Sequence, residues 1–208
     1  MDSQLMGPRG GRRSRHRRGE GVLLRNELIQ AARQLLTTAG GEADLSIRAV
    51  TRAAGVAPQS FYLQFARLDD LLYDVYAIEY GHLREAMAAA ALSAAEPSGR
   101  LLAACTAYCR YAEEQPGRYR ALAAVRGQAR HEGWEQRALP GAPTFQLIRD
   151  LTADALTASG STADAFLVGA IVWAALHGLV TLRAARPAFP WPPLEAMTVT
   201  MIEQILKP

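Results

Sequence analysis

The chain has 208 residues, long enough for one or two domains with a real core, and half of them are apolar, a globular composition. The formal net charge is only +3, but residues 1–20 hold six Arg against Asp2 and Glu20, while the remainder holds 17 basic and 18 acidic residues. The basic character is therefore an N-terminal tail, which points to nucleic acid more than to a membrane surface. Arginine outnumbers lysine 22 to one (Lys207) and alanine is abundant, so codon bias accounts for the Arg preference as well as chemistry does. The tail has no apolar run ahead of a small-residue cleavage site, so no secretory signal is expected. Two cysteines, Cys105 and Cys109, make no disulfide framework, and a reducing cytoplasm is the simpler setting.

Residues 1–19 are rich in Gly, Arg and Ser without periodicity and read as a disordered arm. Two roles stay open for it: an arm that follows phosphates or enters a minor groove, or a solvated tail. Glu20 to Ala39 reads as a first helix, with Leu24, Leu28, Ala31, Leu35 and Ala39 at spacings of three and four. Gly40 and Gly41 stop it.

The stretch from Ser46 to Phe65, SIRAVTRAAGVAPQSFYLQF, reads as two short helices around a tight turn. Ser46 is an N-cap, and Ile47, Val50 and Ala54 share one face of the first helix. Gly55 ends it by taking the left-handed conformation, and Val56 plugs the turn. Pro58 suits the first position of the second helix, whose apolar edge is Phe61, Tyr62 and Phe65. Gln59, Ser60, Leu63 and Gln64 are left facing outward. This is the helix-turn-helix pattern, whose second helix can enter a DNA major groove.

Arg25 with Leu28, Ile29, Ala31 and Ala32, then Ser46, then Ala53, Ala54, Gly55 and Val56, then Phe61, Tyr62 and Phe65 give the region from Val22 to Tyr80 a specific pattern. It resembles the DNA-binding domain of TetR-family transcriptional regulators in order, spacing and residue type. Three positions depart from the family pattern. Ala57 stands where the recognition helix usually has a Ser or Thr cap, a loss of about 1 kcal/mol. Gln64 replaces the usual His. Leu68 replaces a phosphate-contacting Lys, and Arg67 next to it offers the charge from another angle. The resemblance implies a homodimer joined by a four-helix bundle, and a fourth helix that joins the DNA-binding and regulatory parts.

Asp69 and Asp70 open that long fourth helix, where acidic residues favour the positive end of the dipole. Leu72, Tyr73, Tyr76, Tyr80, Leu83 and Met87 carry its apolar side. Pro97, Ser98 and Gly99 read as a break, Arg100 to Gln115 as a helix, Arg118 to Ala129 as another, and 131–143 as a loop. Thr144 to Ala158 is the next helix, with Phe145, Ile148, Leu151, Ala155 and Leu156 inward. Ser161 or Thr162 caps a strongly apolar helix over 165–182. That segment is near the lower length limit for a membrane span. A helix buried between a core and a partner subunit is the preferred reading. A proline-rich connector, RPAFPWPP over 186–193, leads to a last helix from Leu194 to Leu206.

The expected fold is therefore all-α with about nine helices: an arm over 1–19, a DNA-binding domain over 20–66, and a helical ligand-binding and dimerisation domain over 67–208. Gln59, Ser60, Tyr62, Leu63 and Gln64 are the candidates for base and phosphate contact on a double-stranded operator, because Gln can pair with an adenine edge and hydroxyls reach phosphate. Ser46, Arg48 and Arg67 suit phosphate. Tyr108, Tyr111, Trp134, Phe145, Phe166, Trp173 and His177 are candidates to line an effector pocket, although core packing accounts for any single one equally well. Cys105 and Cys109 share a helix face and read as buried small hydrophobes; no metal or cofactor site is expected. No Gly-rich phosphate loop, HExxH or G-x-S-x-G motif supports an enzyme. The composite expectation is a cytoplasmic regulator, a repressor that binds a palindromic operator as a homodimer through its last two helices. A small hydrophobic or aromatic molecule releases it. The alternative is a DNA-binding dimer without ligand control.

Overall fold

A computed structural model describes residues 20–38, 45–123 and 137–207. Among the described residues there are nine α-helices and no strand, in agreement with the expected fold class. The arm over 1–19, the stop at Gly40 and Gly41, the end of the helix expected over 118–129, and Trp134 lie outside the described residues.

Three helices form the head. α1 (Glu20–Thr38) buries Leu24, Leu28, Ile29, Ala31, Ala32 and Leu36, a wider stripe than the expected one, with Leu35 at its margin. α2 (Ile47–Ala53) begins at Ser46, whose hydroxyl accepts from the Ala49 N–H at 3.1 Å. Val50 is wholly buried beneath it. The turn closes in a defined way. The Val56 N–H reaches the Thr51 carbonyl at 2.9 Å and the Gly55 N–H reaches Arg52 at 3.1 Å, the two bonds of a Schellman motif. Gly55 has a φ of +67°, and a β-carbon there would meet nothing within 4 Å. Glycine is needed for the backbone angle, not for space.

α3 (Pro58–Phe61) is shorter than the sequence suggests. It has one turn, Ala57 gives it no side-chain cap, and the Phe61 carbonyl closes it by accepting from Gln64 and Phe65 N–H at 3.0 Å each. The apolar edge is also narrower. Phe61 and Phe65 are buried with ring centroids 5.6 Å apart, but Tyr62 is exposed.

α4 (Leu68–Ala91) leaves the head and runs into the body. Leu71, Leu72, Val75, Tyr76, Glu79, Leu83, Met87 and Ala91 are its buried side, while Tyr73 and Tyr80 are half-buried. α5 (Pro97–Glu114) is the central helix of the body and packs on α4, α6, α7, α8 and α9. α6 (Pro116–Ala123) bridges head and body, touching α1, α4 and α5. α7 (Ala142–Ala158) lies between α5 and α8. α8 (Ala165–Ala185) and α9 (Leu194–Ile205) complete the body.

Several starts differ from expectation for one reason. Pro97 opens α5 three residues before Arg100, Pro116 opens α6 two before Arg118, and α7 takes Pro143 into its first turn. Proline has no N–H to lose at a helix start, so these prolines open helices as well as break them. α8 is capped by Asp164, which accepts from the Phe166 N–H at 2.8 Å, rather than by Ser161 or Thr162.

α8 is also not enclosed all round. One side, Gly169, Val172, Leu176 and Val180, is buried; the other leaves Leu167, Ile171 and Leu182 exposed. By length and composition it is apolar enough to cross a membrane, and 22% of its most apolar window is buried. α9 carries a more polar outer side, with Glu195, Thr200, Glu203 and Gln204 exposed, so the surplus apolar surface sits on α8.

Replacing Gly55 with Ala is expected to lower stability by about 1–2 kcal/mol, the cost of a left-handed L-residue, read as a shift in the urea unfolding midpoint.

Candidate DNA-binding face, effector cavity and the junction between them

The eight residues proposed for DNA contact sit on the start of α2, on α3 and on the turn after it, and α2 packs against α3. Arg48, Gln59, Tyr62 and Leu63 are exposed, and Ser60 is half-exposed. Ser46 is exposed too; its oxygen accepts from Ala49, and its hydroxyl proton stays available to a phosphate. Gln64 is less free. Its main-chain carbonyl accepts from Arg25 at 3.4 Å, and its side-chain amide nitrogen lies 3.6 Å from the point a β-carbon on Gly21 would occupy. Arg67 sits 3.9 Å from Asp70 in the first turn of α4. Arg52, which the motif does not mark, is exposed in the last turn of α2 and is a further cation on this side.

Arg25 holds this face to the rest of the head. Its guanidinium lies 4.4 Å above the Phe65 ring and pairs with Asp74 of α4. The family-pattern Arg of the first helix thus joins α1, the turn after α3, and α4.

The proposed effector residues form a hydroxyl chain and an aromatic group that adjoin at Trp173, which neighbours the Tyr108 hydroxyl, with Tyr111 apart from both. Tyr108 is buried on α5; its hydroxyl lies 2.8 Å from that of Tyr119 on α6, which lies 2.8 Å from Nδ1 of His177 on α8. Burial raises the pKa of both phenols and lowers that of His177, so all three are neutral partners near pH 7. Tyr111 is buried on another side, near Glu79. Phe145, Phe166 and Trp173 form a third group on α7 and α8. The Phe145 centroid is 5.4 Å from Phe166 and 5.6 Å from Trp173, and the latter two are exposed.

A cavity of about 710 Å³ lies elsewhere, between the α5–α6 corner, the end of α8 and the connector to α9. Ala112, Pro116, Tyr119, Arg120, Val180 and Trp191 are among its walls, and none of the six described aromatic or histidine candidates is. Its nearest link to them is Tyr119, the middle member of the hydroxyl chain. In the sequence its walls come from 112–120, 180–187 and Trp191, with no shared motif to mark them. Cys105 and Cys109 are free and buried, and burial pushes the Cys109 thiol up to about 11, so neither is a thiolate near pH 7.

Between face and cavity lies a buried carboxylate. Glu79 on α4 is 2% exposed. Its Oε1 accepts from Arg33 Nε of α1 at 2.6 Å. Its Oε2 faces His82 at 3.7 Å and Arg118 of α6 at 3.9 Å, beyond hydrogen-bonding range. Close by, α6 meets the end of α1 at Gly117, where a β-carbon would come within 3.1 Å of the Thr37 carbonyl.

A helical head carrying a helix-turn-helix, joined by one long helix to a helical body with a cavity, is the build of a transcription regulator that combines reader and sensor in one chain. The family profile of the tetracyclin repressor-like C-terminal domain matches residues 101–205, half of the chain, and the chain belongs to the TetR family. Among solved structures it is similar to a transcriptional regulator from Rhodococcus sp. RHA1, at 22% identity over 88% of this chain and 95% of that one, with a TM-score of 0.71. It is also similar to the transcriptional regulator FadR from Bacillus subtilis in complex with stearoyl-CoA, at 15% identity over 88% and 97%, with a TM-score of 0.68. A TetR-family regulator from Shewanella sp. PV-4 follows at 15% identity over 86% and 95%, with a TM-score of 0.69. None of the curated proteins matches the chain in sequence.

Replacing Glu79 with Gln leaves Arg33 without its buried counter-charge and is expected to cost about 3–5 kcal/mol in urea unfolding. Asp150→Asn, at an exposed position, should stay within about 0.5 kcal/mol.

Proposed function

We propose that the protein is a ligand-responsive transcriptional repressor that binds a palindromic operator as a homodimer and is released by a small, hydrophobic or aromatic molecule. The observation that carries the DNA part is the exposed edge of Gln59, Tyr62 and Leu63, held out on α3 by the buried Phe61 and Phe65. In this reading residues 20–66 are the DNA-binding domain and 67–208 the sensing and dimerisation domain. Gln59 reads a base edge. Ser60 and Tyr62 reach base or phosphate, and Leu63 makes apolar contact. Ser46, Arg48, Gln64 and Arg67 position the domain on the backbone, and the arm over 1–19 adds phosphate contacts. The protein works in the cytoplasm as a regulator and not as an enzyme.

The exposed apolar side of α8 supports dimerisation through the last two helices. Leu167, Ile171 and Leu182 surround the small residues Ala174 and Gly178, and nothing lies within 4 Å of a β-carbon built on Gly178. A two-fold copy would cover that side by an isologous contact. The two recognition helices would then address half-sites about 34 Å apart, or a multiple of that. Ligand binding would act through α4 and α6 on the head, with the strength set by the ligand's differential affinity for the two states. The FadR relative holds an acyl-CoA, which favours a sensor of apolar molecules here. The alternative, a dimer without ligand control, is disfavoured by the cavity of about 710 Å³, within the range of ligand sites.

Fluorescence anisotropy on the DNA upstream of the protein's own gene, across a salt series, tests the DNA reading. Tight, competitor-resistant binding is expected, and Gln59→Ala should weaken it by about 1–3 kcal/mol if Gln59 makes a bidentate base contact. Removing residues 1–18 should flatten the log–log salt slope by about 0.9 for each phosphate that the arm neutralises. Binding that survives both Gln59→Ala and Tyr62→Ala would remove α3 from recognition.

Ile171→Glu on the outer side of α8 is expected to turn the dimer into a folded monomer in sedimentation velocity. A dimer that persists unchanged would place the interface elsewhere.

A further inference from the structure

The cavity beside α6 has a chemical bias that narrows its ligand. We propose that it is the effector site and that its ligand is an apolar chain or ring system ending in one anionic group, which Arg120 receives. This rests on the regulator reading above and names the ligand class for it.

Most polar groups in the walls already have partners. Tyr119 gives its hydroxyl to the Tyr108–His177 chain, at 2.8 Å on each side. The Thr181 hydroxyl donates to the His177 carbonyl at 2.6 Å. The Trp191 indole N–H donates to the Arg186 carbonyl at 2.9 Å. Arg183 donates to the Pro192 carbonyl at 2.7 Å and faces Glu113 at 3.6 Å. Each of these is engaged with the protein itself.

Arg120, exposed at the rim of the cavity, is the exception. Its Nε makes one long bond, 3.4 Å, to the Pro116 carbonyl in its own helical turn. No carboxylate among the described residues pairs with it. The lining therefore holds two guanidinium groups against one carboxylate, and Glu113 and Arg183 answer each other. The surplus is one positive charge on a guanidinium that can present two parallel donors to a carboxylate or phosphate. The remaining surface is Ala112, Pro116, Val180, Ala184, Pro187 and the Trp191 ring. A neutral polar ligand finds few unengaged partners here, and its desolvated polar groups would count against it. An apolar body with one anionic end meets both parts of the lining.

The site also has a route to the head. Arg120 shares α6 with Gly117, packed on Thr37 of α1, and with Arg118, which faces Glu79. An anion that draws Arg120 inward loads the helix that touches both.

Calorimetric titration of the full chain with dodecanoate, dodecyl phosphate and dodecan-1-ol, all below their micellar concentrations, tests the assignment. The carboxylate or the phosphate, whichever end the site takes, should bind about tenfold more tightly than the alcohol, the worth of one charge-assisted hydrogen bond. Arg120→Gln should bring that anion down to the affinity of the alcohol. Ala184→Trp, which fills the mouth, should remove binding of all three, with circular dichroism reporting that it folds. An alcohol that binds as well as both anions, a preference that survives Arg120→Gln, or no binding by any probe would overturn the proposal. So would binding that survives Ala184→Trp and is lost on changing the exposed Phe166 and Trp173. Operator affinity is measured on the same protein without probe. Loss of operator binding with the anion preference intact would sink the regulator reading alone, and the reverse result would sink the ligand class alone.

Discussion

A single buried carboxylate ties the head of this protein to its body. Glu79 is enclosed in α4 and meets Arg33 from α1 on one oxygen and Arg118 from α6 on the other side. Taking such a group out of water is costly, and the charge is tolerated because a guanidinium lies at hydrogen-bond distance. The arrangement is asymmetric. The bond to Arg33 is short and well formed, while Arg118 and His82 stand off beyond hydrogen-bonding range. The head is thus fastened to α4 directly, and α6 shares the same charge more loosely.

That asymmetry gives α6 a particular position. Its described part, Pro116–Ala123, starts on a proline and touches α1, α4 and α5. One side of it supplies Tyr119 and Arg120 to the cavity wall. Its start rests on the end of α1, and Arg118 lies against Glu79. Arg118 and Tyr119 are consecutive, so the Glu79 contact and the cavity wall lie within one turn of α6.

Much of the fold was legible in the residues. Ser46 and Gly55 act as the cap and the stop that their chemistry suggests, and Val50, Phe61 and Phe65 are buried as the spacing requires. These are local rules, satisfied within a few residues, so a sequence can state them. The departures are local as well. Pro97, which reads as part of a break, starts α5, Pro116 starts α6 two residues before the expected Arg118, and the uncapped α3 stops after one turn. The apolar periodicity of α8 identified a helix, but the sequence could not say which of its sides the monomer would bury.

The candidate pocket residues mark the limit of local rules. Aromatic type and inward spacing group Tyr108, Phe145 and His177 together; the fold places Tyr108 and His177 in a hydroxyl chain and Phe145 in an aromatic group beside it, with Trp173 next to both, and none of them lines the cavity. The cavity is walled instead by small residues, a proline corner and two arginines that no motif connects. By itself the sequence determined the helical class, the helix-turn-helix head and the order of the parts, because caps, turns and 3.6-residue periodicity act over short stretches. Only the tertiary structure decided where the cavity lies and which charge stays unanswered in it. It also decided that Glu79 joins Arg33 across 46 positions, because those outcomes depend on which distant side chains meet.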